Sequence, residues 1–509
     1  MKRSLQNADN LSAARSQFLQ PLGSLGNVLI VGVGKSGQAT ARFLCEHAGS
    51  LGLKSLTVVD SAPSNTFEDF LHLLGELAEE KPHRMHIRAS FDTKQVPELG
   101  DDSLYDLCII TPGLAPHTML SRSAYAHSRE VISEIELAFR LSPSGLNWVA
   151  ITGTNGKTTT TELVREVLSA GMQGESRANQ VYSVGNIGTP ALELLAQVQD
   201  GDAFVAEVSS FQAARLADFK PRVAALLNLS ADHLDWHKDI ASYAADKCAI
   251  FANSAQGDLV LVPEESLLHE QARPVISAAL EAASARGAKI RTVQADETSL
   301  PLAASELAVQ GKHNLLNACF AAEIARYFKM SDADIATALK FFKSPPHRMQ
   351  ELGRFNDVLY VNDSKATNPD ASIQALSAYP GLEMTLLLGG QSKGELGADY
   401  LDLAKVALGR AQNIYLFGQS ALALRDVFEN CATDCLPQQH VTVFESMEKA
   451  VEAAVESAVP EQVVLLSPAN ASFDEFANYE ERGREFERLV GKFHGTAANS
   501  SESSEAKDA

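Results

Sequence analysis

The chain has 509 residues, of which 45% are hydrophobic and 21% charged, a balance typical of folded globular proteins. The formal net charge of −21 argues against a nucleic-acid-binding or anionic-membrane-binding surface, although it allows local basic pockets. The N-terminus lacks a signal-peptide pattern, and no apolar run approaches the roughly 20 residues of a membrane helix. We therefore expect a soluble, cytoplasmic protein with no nucleic-acid partner and no membrane insertion, built from about three domains.

The six cysteines contain no C-x-x-C pair, which is typical of scattered thiols in a reducing compartment. An alternative is a metal site formed by Cys431, Cys435 and His440. No fourth ligand stands at zinc-like spacing from them, so we expect no structural zinc.

The N-terminal part of the chain has the pattern of a doubly wound sheet. The polar residues 1–25 predict a flexible arm. Strand-like runs over 28–31, 56–59 and 107–110 then surround a helical pattern, which predicts a Rossmann-like domain over residues 26–143. Gly32-x-Gly34-x-x-Gly37, followed by Asp60, equals a dinucleotide fingerprint, so an NAD-dependent dehydrogenase is an alternative for this domain alone.

Two further sheets are predicted downstream. Residues 144–345 contain strand-like runs at 148–152, 203–208, 223–229 and 258–262, and the prolines at 345 and 346 mark their end. Residues 346–494 alternate helical segments with short apolar runs near 358–361, 384–388, 413–417, 441–444 and 463–466. The small polar residues 495–509 predict a disordered tail. The predicted fold class is α/β, with three domains that each carry a mainly parallel sheet and flanking helices.

The strongest chemical signal is the segment TGTNGKTTT, which follows a predicted strand and opens a helix. Such a loop turns backbone N–H groups and a helix N-terminus toward a phosphate, and its lysine neutralises phosphate oxygens. Ile151 departs from the general pattern, which has glycine at that position, and the alternative is a Gly/Thr-rich turn before an ordinary helix. The predicted ATP-binding loop is Gly153, Thr154, Asn155, Gly156, Lys157, Thr158 and Thr159.

Three residues in the following strands and helices extend this site. Glu207 ends a predicted strand, where a carboxylate beside a phosphate loop suits magnesium. His233 follows the next strand and could bind metal as neutral imidazole, with a structural histidine as the alternative. Lys247 lies on a predicted helix, and its simplest interpretation is a solvated lysine.

The motifs TGTNGKTTT (152–160), VGNIG (184–188), EVSSFQ (207–212), DHLD (232–235) and GKHN (311–314) together resemble the Mur ligase family, ATP-dependent enzymes of peptidoglycan precursor synthesis. Segments at 347–348, 362–368, 389–393 and 467–476 resemble its D-glutamate-adding branch. The resemblance runs from about residue 27 to residue 490. It implies a UDP-sugar-binding N-terminal domain, a central ATP-binding domain and a C-terminal amino-acid-binding domain.

The resemblance also implies individual roles. Catalysis would involve Lys157, Glu207, His233 and Lys247. Two Mg²⁺ ions would be held by Thr158, Glu207, His233 and Lys247, the last as a carbamate derived from CO₂. ATP would further contact Asn314, Asn317, Arg348 and Asp363. The UDP-sugar would contact Lys35, Ser36, Asp60, Ser61, Asn186 and His233. D-Glutamate would contact Thr367, Lys393, Ser472, Phe473 and Tyr479.

The implied reaction joins D-glutamate to UDP-N-acetylmuramoyl-L-alanine through an acyl phosphate, in a monomeric enzyme of cell-wall biogenesis and hence of cell shape and division. Closure of the C-terminal domain over the central one would protect the acyl phosphate from water. Alternatives are a related ligase for another amino acid, a folylpolyglutamate-synthase-like enzyme and a non-catalytic nucleotide-binding regulator. Asn470, and Gln391-Ser392 before Lys393, depart from the family pattern.

Overall fold

The computed structural model describes residues 24–79, 86–97, 104–172, 179–234, 236–308, 311–342, 346–392, 396–431 and 440–494. The chain divides into two compact units. The first comprises the residues up to Glu306 together with Leu316–Phe341, and the second comprises Leu307–Leu315 and the residues from Phe342 on. Two sheets belong to the first unit and one to the second.

The first sheet is parallel, with strand order β3-β2-β1-β4-β5. Its strands are β1 (Gly26–Val31), β2 (Leu53–Val59), β3 (His86–Ser90), β4 (Leu107–Ile110) and β5 (Val131–Ile132), and its helices are α1 (Lys35–Glu46), α2 (Glu68–Glu79), α3 (Met119–Ala126) and α4 (Glu134–Leu141). The central strands are buried apolar runs, as in parallel sheets covered by helices. Leu25 is buried and donates its N–H to the Leu51 carbonyl at 2.9 Å, so the last residue of the predicted arm already packs here. Residues 1–23 lie outside the described residues.

The second sheet is also parallel, with strand order β11-β10-β9-β6-β8-β7. Its strands are β6 (Asn147–Thr152), β7 (Val181–Gly185), β8 (Ala203–Glu207), β9 (Val223–Leu226), β10 (Leu259–Pro263) and β11 (Lys289–Val293). The helices that follow them are α5 (Lys157–Gly171), α6 (Ala191–Leu194), α7 (Ser210–Ala213), α8 (Ile240–Cys248), α9 (Arg273–Ala285), α10 (Lys312–Tyr327) and α11 (Asp332–Phe341). The strand order reverses at β6, and ligands of such sheets bind at the carboxyl ends of the strands near this point.

The third sheet has strand order β12-β13-β17-β14-β15-β16, and only the β12–β13 pairing is antiparallel. Its strands are β12 (Gln350–Phe355), β13 (Val358–Asn362), β14 (Glu383–Gly389), β15 (Asn413–Phe417), β16 (His440–Val443) and β17 (Gln462–Ala469). Its helices are α12 (Pro369–Leu376), α13 (Ala398–Arg410), α14 (Ala421–Cys431), α15 (Met447–Ser457) and α16 (Tyr479–Phe493).

The predicted fold class is confirmed, because all three sheets are mainly parallel and alternate with helices. The predicted domain boundaries stay predictions; Pro345 and the tail from residue 495 lie outside the described residues. Among the helices of the described ranges, none is both long and apolar enough to cross a membrane. The cysteines within those ranges are free thiols. Cys435 lies outside the described residues.

Candidate active site

The predicted phosphate loop joins β6 to α5. Gly156 has φ of 81°, and a Cβ at this position would lie 2.6 Å from Asn317 Oδ1, so both the backbone conformation and the available space require glycine. Helix α5 begins at the next residue, Lys157. Ile151 is a buried residue of β6, which explains the departure from the general pattern: the strand continues there and the loop begins later.

Asn228, a residue without a predicted role, holds this loop. The N–H of Asn155 donates to Asn228 Oδ1 at 2.9 Å, and Asn228 Nδ2 donates to the Asn155 carbonyl at 3.0 Å. The Thr154 hydroxyl makes a similar pair of bonds, donating to the Ser230 carbonyl at 3.1 Å and accepting from the Ser230 N–H at 3.0 Å. The segment after β9 therefore preorganises the loop from its side.

Glu207 meets the loop from the other side. Parallel register pairs Glu207 of β8 with Ile151 of β6 and with Gly185 of β7, so the ends of three strands lie in line. The Thr158 hydroxyl donates to Glu207 Oε2 at 2.7 Å, and the Asn186 amide donates to Glu207 Oε1 at 2.9 Å. Both carboxylate oxygens of this buried glutamate are thus held in position, one by each neighbouring segment.

Lys157 and Lys247 approach the loop carbonyls together. Lys157 Nζ donates to the carbonyls of Gly153 at 3.0 Å and Thr154 at 2.9 Å, and Lys247 Nζ donates to the Gly153 carbonyl at 2.7 Å. Lys247 is only 1% exposed, so it is not a solvated lysine. Burial lowers the pKa of its amine well below the usual value, and the positive charge of Lys157 lowers it further, although nearby carboxylates act in the opposite direction.

His233 lies in the turn that follows β9. Its φ of 55° places it in the left-handed region, and its own N–H donates to Asp232 Oδ1 at 2.9 Å. His233 Nε2 lies 3.5 Å from Asp232 Oδ2, and the ring meets Phe211 edge to face. Asp235 lies outside the described residues. Within the ranges that are described, no three His, Cys, Asp or Glu side chains form a metal-binding group, so the predicted metal set depends on Thr158 and on a modified Lys247.

Asp60, the acidic residue after β2, accepts hydrogen bonds from the protein backbone. Asp60 Oδ2 accepts from the Val33 N–H at 2.6 Å, and Oδ1 accepts from the Ala62 N–H at 2.8 Å. Of the predicted UDP-sugar residues, Ser61 is exposed and Ser36 is half-buried. Lys35 Nζ donates to the Gly188 carbonyl at 2.5 Å, which connects this loop to the VGNIG segment of the second sheet.

The predicted nucleotide residues are divided between the two units. Asn317 belongs to the first unit and Asn314, one turn earlier in α10, to the second, together with Arg348 and Asp363. Asp363 follows β13 and accepts from the Ser467 hydroxyl at 2.9 Å and from a backbone N–H at 3.2 Å. Burial raises the pKa of Asp363 to about 7, although the nearby Arg348 charge has the opposite effect.

The predicted D-glutamate residues that the structure describes follow β13 and β17 of the third sheet. Ser472 is buried, whereas Phe473 is 68% exposed. Tyr479 begins α16, and Lys365 Nζ lies 3.3 Å from its hydroxyl. Thr367 is partly exposed in the loop before α12. Lys393 lies outside the described residues, so its predicted place in this set stays a prediction.

Arg482, which the sequence analysis did not identify, connects the two loops that carry these residues. Its guanidinium is completely buried; it donates to the Ser364 hydroxyl at 3.0 Å and carbonyl at 2.8 Å, and to the carbonyls of Asn470 at 3.1 Å and Ala471 at 3.2 Å. Burial lowers the pKa of Arg482 to about 10. Buried arginines need such complete hydrogen bonding, so this one fixes the spacing of the loops.

Asn470 and Gln391, which depart from the family pattern, both make contacts at the loop after β17. Asn470 is buried; it accepts from the Tyr400 hydroxyl at 2.7 Å and donates to the Pro468 carbonyl at 3.2 Å. Gln391 pairs through its backbone with Ala471, at 2.8 Å and 3.0 Å. The Asn470 side chain therefore holds the loop after β17, whereas the contacts of Gln391 are backbone bonds that any residue could make.

Comparisons with known proteins show which family this chain is similar to. Residues 151–325 match the Mur ligase middle domain, and residues 347–470 match the Mur ligase glutamate ligase domain. A UDP-N-acetylmuramoylalanine--D-glutamate ligase of Salinibacter ruber is 34% identical over 479 residues, covering 91% of this chain and 96% of the relative. A ligase of the same name from Pelotomaculum thermopropionicum is 33% identical, covering 91% and 97%. Among solved structures, the UDP-N-acetylmuramate-alanine ligase MurC of Thermotoga maritima has a TM-score of 0.50 at 16% identity, covering 92% of this chain and 99% of that one, which shows a common fold.

Fold and site together define a three-sheet α/β protein with the predicted phosphate loop at the switch point of its second sheet. The family matches and relatives place it more narrowly. The chain belongs to the Mur ligase family. This assignment decides against the NAD-dependent dehydrogenase considered for the first domain.

Proposed function

We propose that this protein is an ATP-dependent ligase that joins D-glutamate to UDP-N-acetylmuramoyl-L-alanine in cytoplasmic peptidoglycan precursor synthesis. The observation that carries the proposal is the convergence of Lys157, Thr158, Glu207 and Lys247 on one phosphate loop. It is supported by relatives named as D-glutamate ligases that match 91% of the chain.

The chain offers suitable donors for Mg²⁺. The Thr158 hydroxyl and the Glu207 carboxylate are oxygen donors 2.7 Å apart, as a hard cation prefers, and Asn186 holds the second carboxylate oxygen. Bound magnesium would supply positive charge that stabilises the transferring phosphoryl group. Lys157, beside the loop carbonyls, would add its own charge at the phosphate oxygens.

Lys247 is proposed to carry a carbamate. Its burial and lowered pKa favour the neutral amine, which is the form that adds to CO₂ with loss of a proton. The product exchanges a cation for an anion with two oxygen donors. Together with the His233 imidazole, it would form the place for a second magnesium ion, which unmodified Lys247 would repel.

The reaction has two steps. A carboxylate oxygen of the L-alanyl group attacks the γ-phosphorus of ATP, and ADP leaves. The amine of D-glutamate then attacks the acyl carbon, loses a proton and displaces phosphate, which forms the amide bond. Asn314, Asn317, Arg348 and Asp363 are proposed for ATP, and Lys35, Ser36, Asp60, Ser61 and Asn186 for the UDP-sugar. Thr367, Lys393, Ser472, Phe473 and Tyr479 are proposed for D-glutamate.

An amino-acid panel tests the proposal. Purified protein with ATP, Mg²⁺ and UDP-N-acetylmuramoyl-L-alanine should release phosphate with D-glutamate, and mass spectrometry should show the coupled product. L-Glutamate, or omission of the UDP-sugar, should reduce phosphate release to background. Activity with only a different amino acid would identify a related ligase, and activity with a folate acceptor would identify a folylpolyglutamate-synthase-like enzyme. Nucleotide binding without turnover on any substrate would identify a regulator.

A further inference from the structure

One histidine, His237, bonds both to helix α8, which carries Lys247, and to the segment after Glu207. His237 Nδ1 lies 2.9 Å from Asp246 Oδ2, in the last turn of α8, and His237 Nε2 lies 2.9 Å from Ser210 Oγ, at the start of α7. Asp246 immediately precedes Lys247, and Ser210 is three residues after Glu207. One imidazole therefore bridges the two elements that carry these proposed ligands.

The bridge is buried and closely packed. His237 is 4% exposed and Ser210 is 3% exposed. The imidazole stacks on Phe211 with an interplanar angle of 19°, and it lies 4.9 Å from the Tyr243 ring. The Tyr243 hydroxyl is in turn 3.3 Å from Thr154 Oγ1 in the phosphate loop. The bridge thus reaches three segments of the proposed site.

The order of hydrogen bonds is that of a Ser-His-Asp nucleophilic triad, but the surroundings are not. A nucleophilic serine must be open to its substrate. Ser210 is buried, and it is the first residue of a short helix closed by a capping box between Ser209 and Gln212. These three hydrogen-bonded side chains are therefore suited to fixing the positions of α7 and α8 rather than to nucleophilic attack.

We propose that His237 is a positioning residue of the ligase reaction, which sets the position of Lys247 relative to Glu207 through its bonds to Asp246 and Ser210. This inference rests on the proposed ligase function. Residues that do not touch a metal can still orient the residues that bind it. Loss of such an orienting residue typically costs roughly 10- to 100-fold in activity or metal affinity. His237 acts on α8 and on the segment after β8 in this way.

The first test replaces His237 by phenylalanine, which keeps an aromatic ring against Phe211 but removes both hydrogen bonds. We expect kcat to fall by roughly 10- to 100-fold, while the KM for ATP and for D-glutamate changes by less than about threefold. His127→Phe is the matched control, because His127 bonds to the Ser123 carbonyl at 2.8 Å in the first sheet's domain and should leave kcat unchanged. An unchanged kcat in His237→Phe would overturn the proposal.

A second test separates positioning from general loss of stability. Asp246→Asn keeps an oxygen acceptor for the imidazole and should retain much more activity than Asp246→Ala, whereas equal losses would count against the bridge. Amide hydrogen exchange should show faster exchange in residues 240–248 of His237→Phe and unchanged exchange in residues 157–171. Uniformly faster exchange would show a structural role only. Wild-type protein is assayed in parallel, so that failure of the ligase function itself is recognised by its own inactivity on D-glutamate.

Discussion

Two lysines with different environments donate to the same carbonyl, that of Gly153. Lys157 is only partly buried and belongs to the loop itself, whereas Lys247 is 1% exposed and comes from α8. A half-buried lysine within the loop suits phosphate neutralisation. A buried amine is driven toward its neutral form, because burial disfavours charge. The environment therefore divides the proposed roles between two identical side chains.

Lys157→Ala should lower kcat by roughly 100- to 1000-fold, the usual cost of removing one donor to a developing negative charge. The fold should persist, because Lys157 is only half-buried and its hydrogen bonds to the Gly153 and Thr154 carbonyls lie within its own loop. Phosphate release and circular dichroism measure the two effects. Lys289→Ala, an exposed lysine on the edge strand β11, is the control and should remain fully active. Near-normal turnover in Lys157→Ala would contradict the assignment of the phosphate loop.

Lys247→Ala should lose most activity, and added acetate should restore part of it, because a small carboxylate can supply the oxygens of the missing carbamate. The measurement is phosphate release against acetate concentration. Methylamine is the matched control, since it can replace only an unmodified amine. Rescue by methylamine but not by acetate would refute the carbamate.

At the scale of elements, α4 and α6 are connected by a buried carboxyl. Glu134 Oε1 accepts from the Leu192 N–H at 2.9 Å, whereas Oε2 has no partner among the described residues. Burial raises the pKa of Glu134 to about 7, above the value near 4.3 of an unfolded chain. Between these two values the folded protein holds one more proton than the unfolded protein, so the contribution of Glu134 to stability falls as the pH rises.

Glu134→Gln should therefore gain stability relative to wild type between pH 5 and pH 8. The free energy of unfolding of the variant, relative to that of wild type, should rise by about 1–3 kcal/mol from the lower to the higher pH. Urea unfolding at both pH values measures it. Glu281→Gln, an exposed acid on α9, is the control and should show almost no change. A difference between Glu134→Gln and wild type that is the same at both pH values would show that Glu134 is ionised when folded.

At the scale of the whole molecule, the candidate nucleotide and UDP-sugar residues lie at different sheets. Lys157 follows a strand of the second sheet, whereas Ser36 lies in the first turn of α1, and Asp60 and Ser61 follow β2 of the first sheet. The two ligands should accordingly stabilise the chain separately, each by about 2.7 kcal/mol at one hundred times its Kd.

Lys157→Ala should thus lose the rise in Tm caused by a non-hydrolysable ATP analogue with Mg²⁺, and keep the rise caused by UDP-N-acetylmuramoyl-L-alanine. Thermal unfolding with each ligand alone measures both. Loss of both responses in a variant whose unliganded Tm is normal would place the UDP-sugar at the phosphate loop instead.

The sequence by itself determined the central strands and the loops that follow them, because central strands of parallel sheets are buried on both faces and form continuous apolar runs. It did not reveal β3, β5, β7, β11 and β12, which are all edge strands with partly exposed residues. The phosphate loop was predictable because it carries a recognisable pattern directly after the apolar strand β6. Glu207 was predictable because it ends another apolar strand, β8, which is the neighbour of β6 in the sheet.

Only the tertiary structure could show Asn228, His237, Glu134 and Arg482, since their partners are distant in sequence or their burial is unusual for their type. Polar side chains in ordinary segments carry no pattern, and their roles arise from the desolvation that makes each hydrogen bond necessary. The same holds for Asn470, which departs from the family pattern in sequence but meets the Tyr400 hydroxyl of α13 in space.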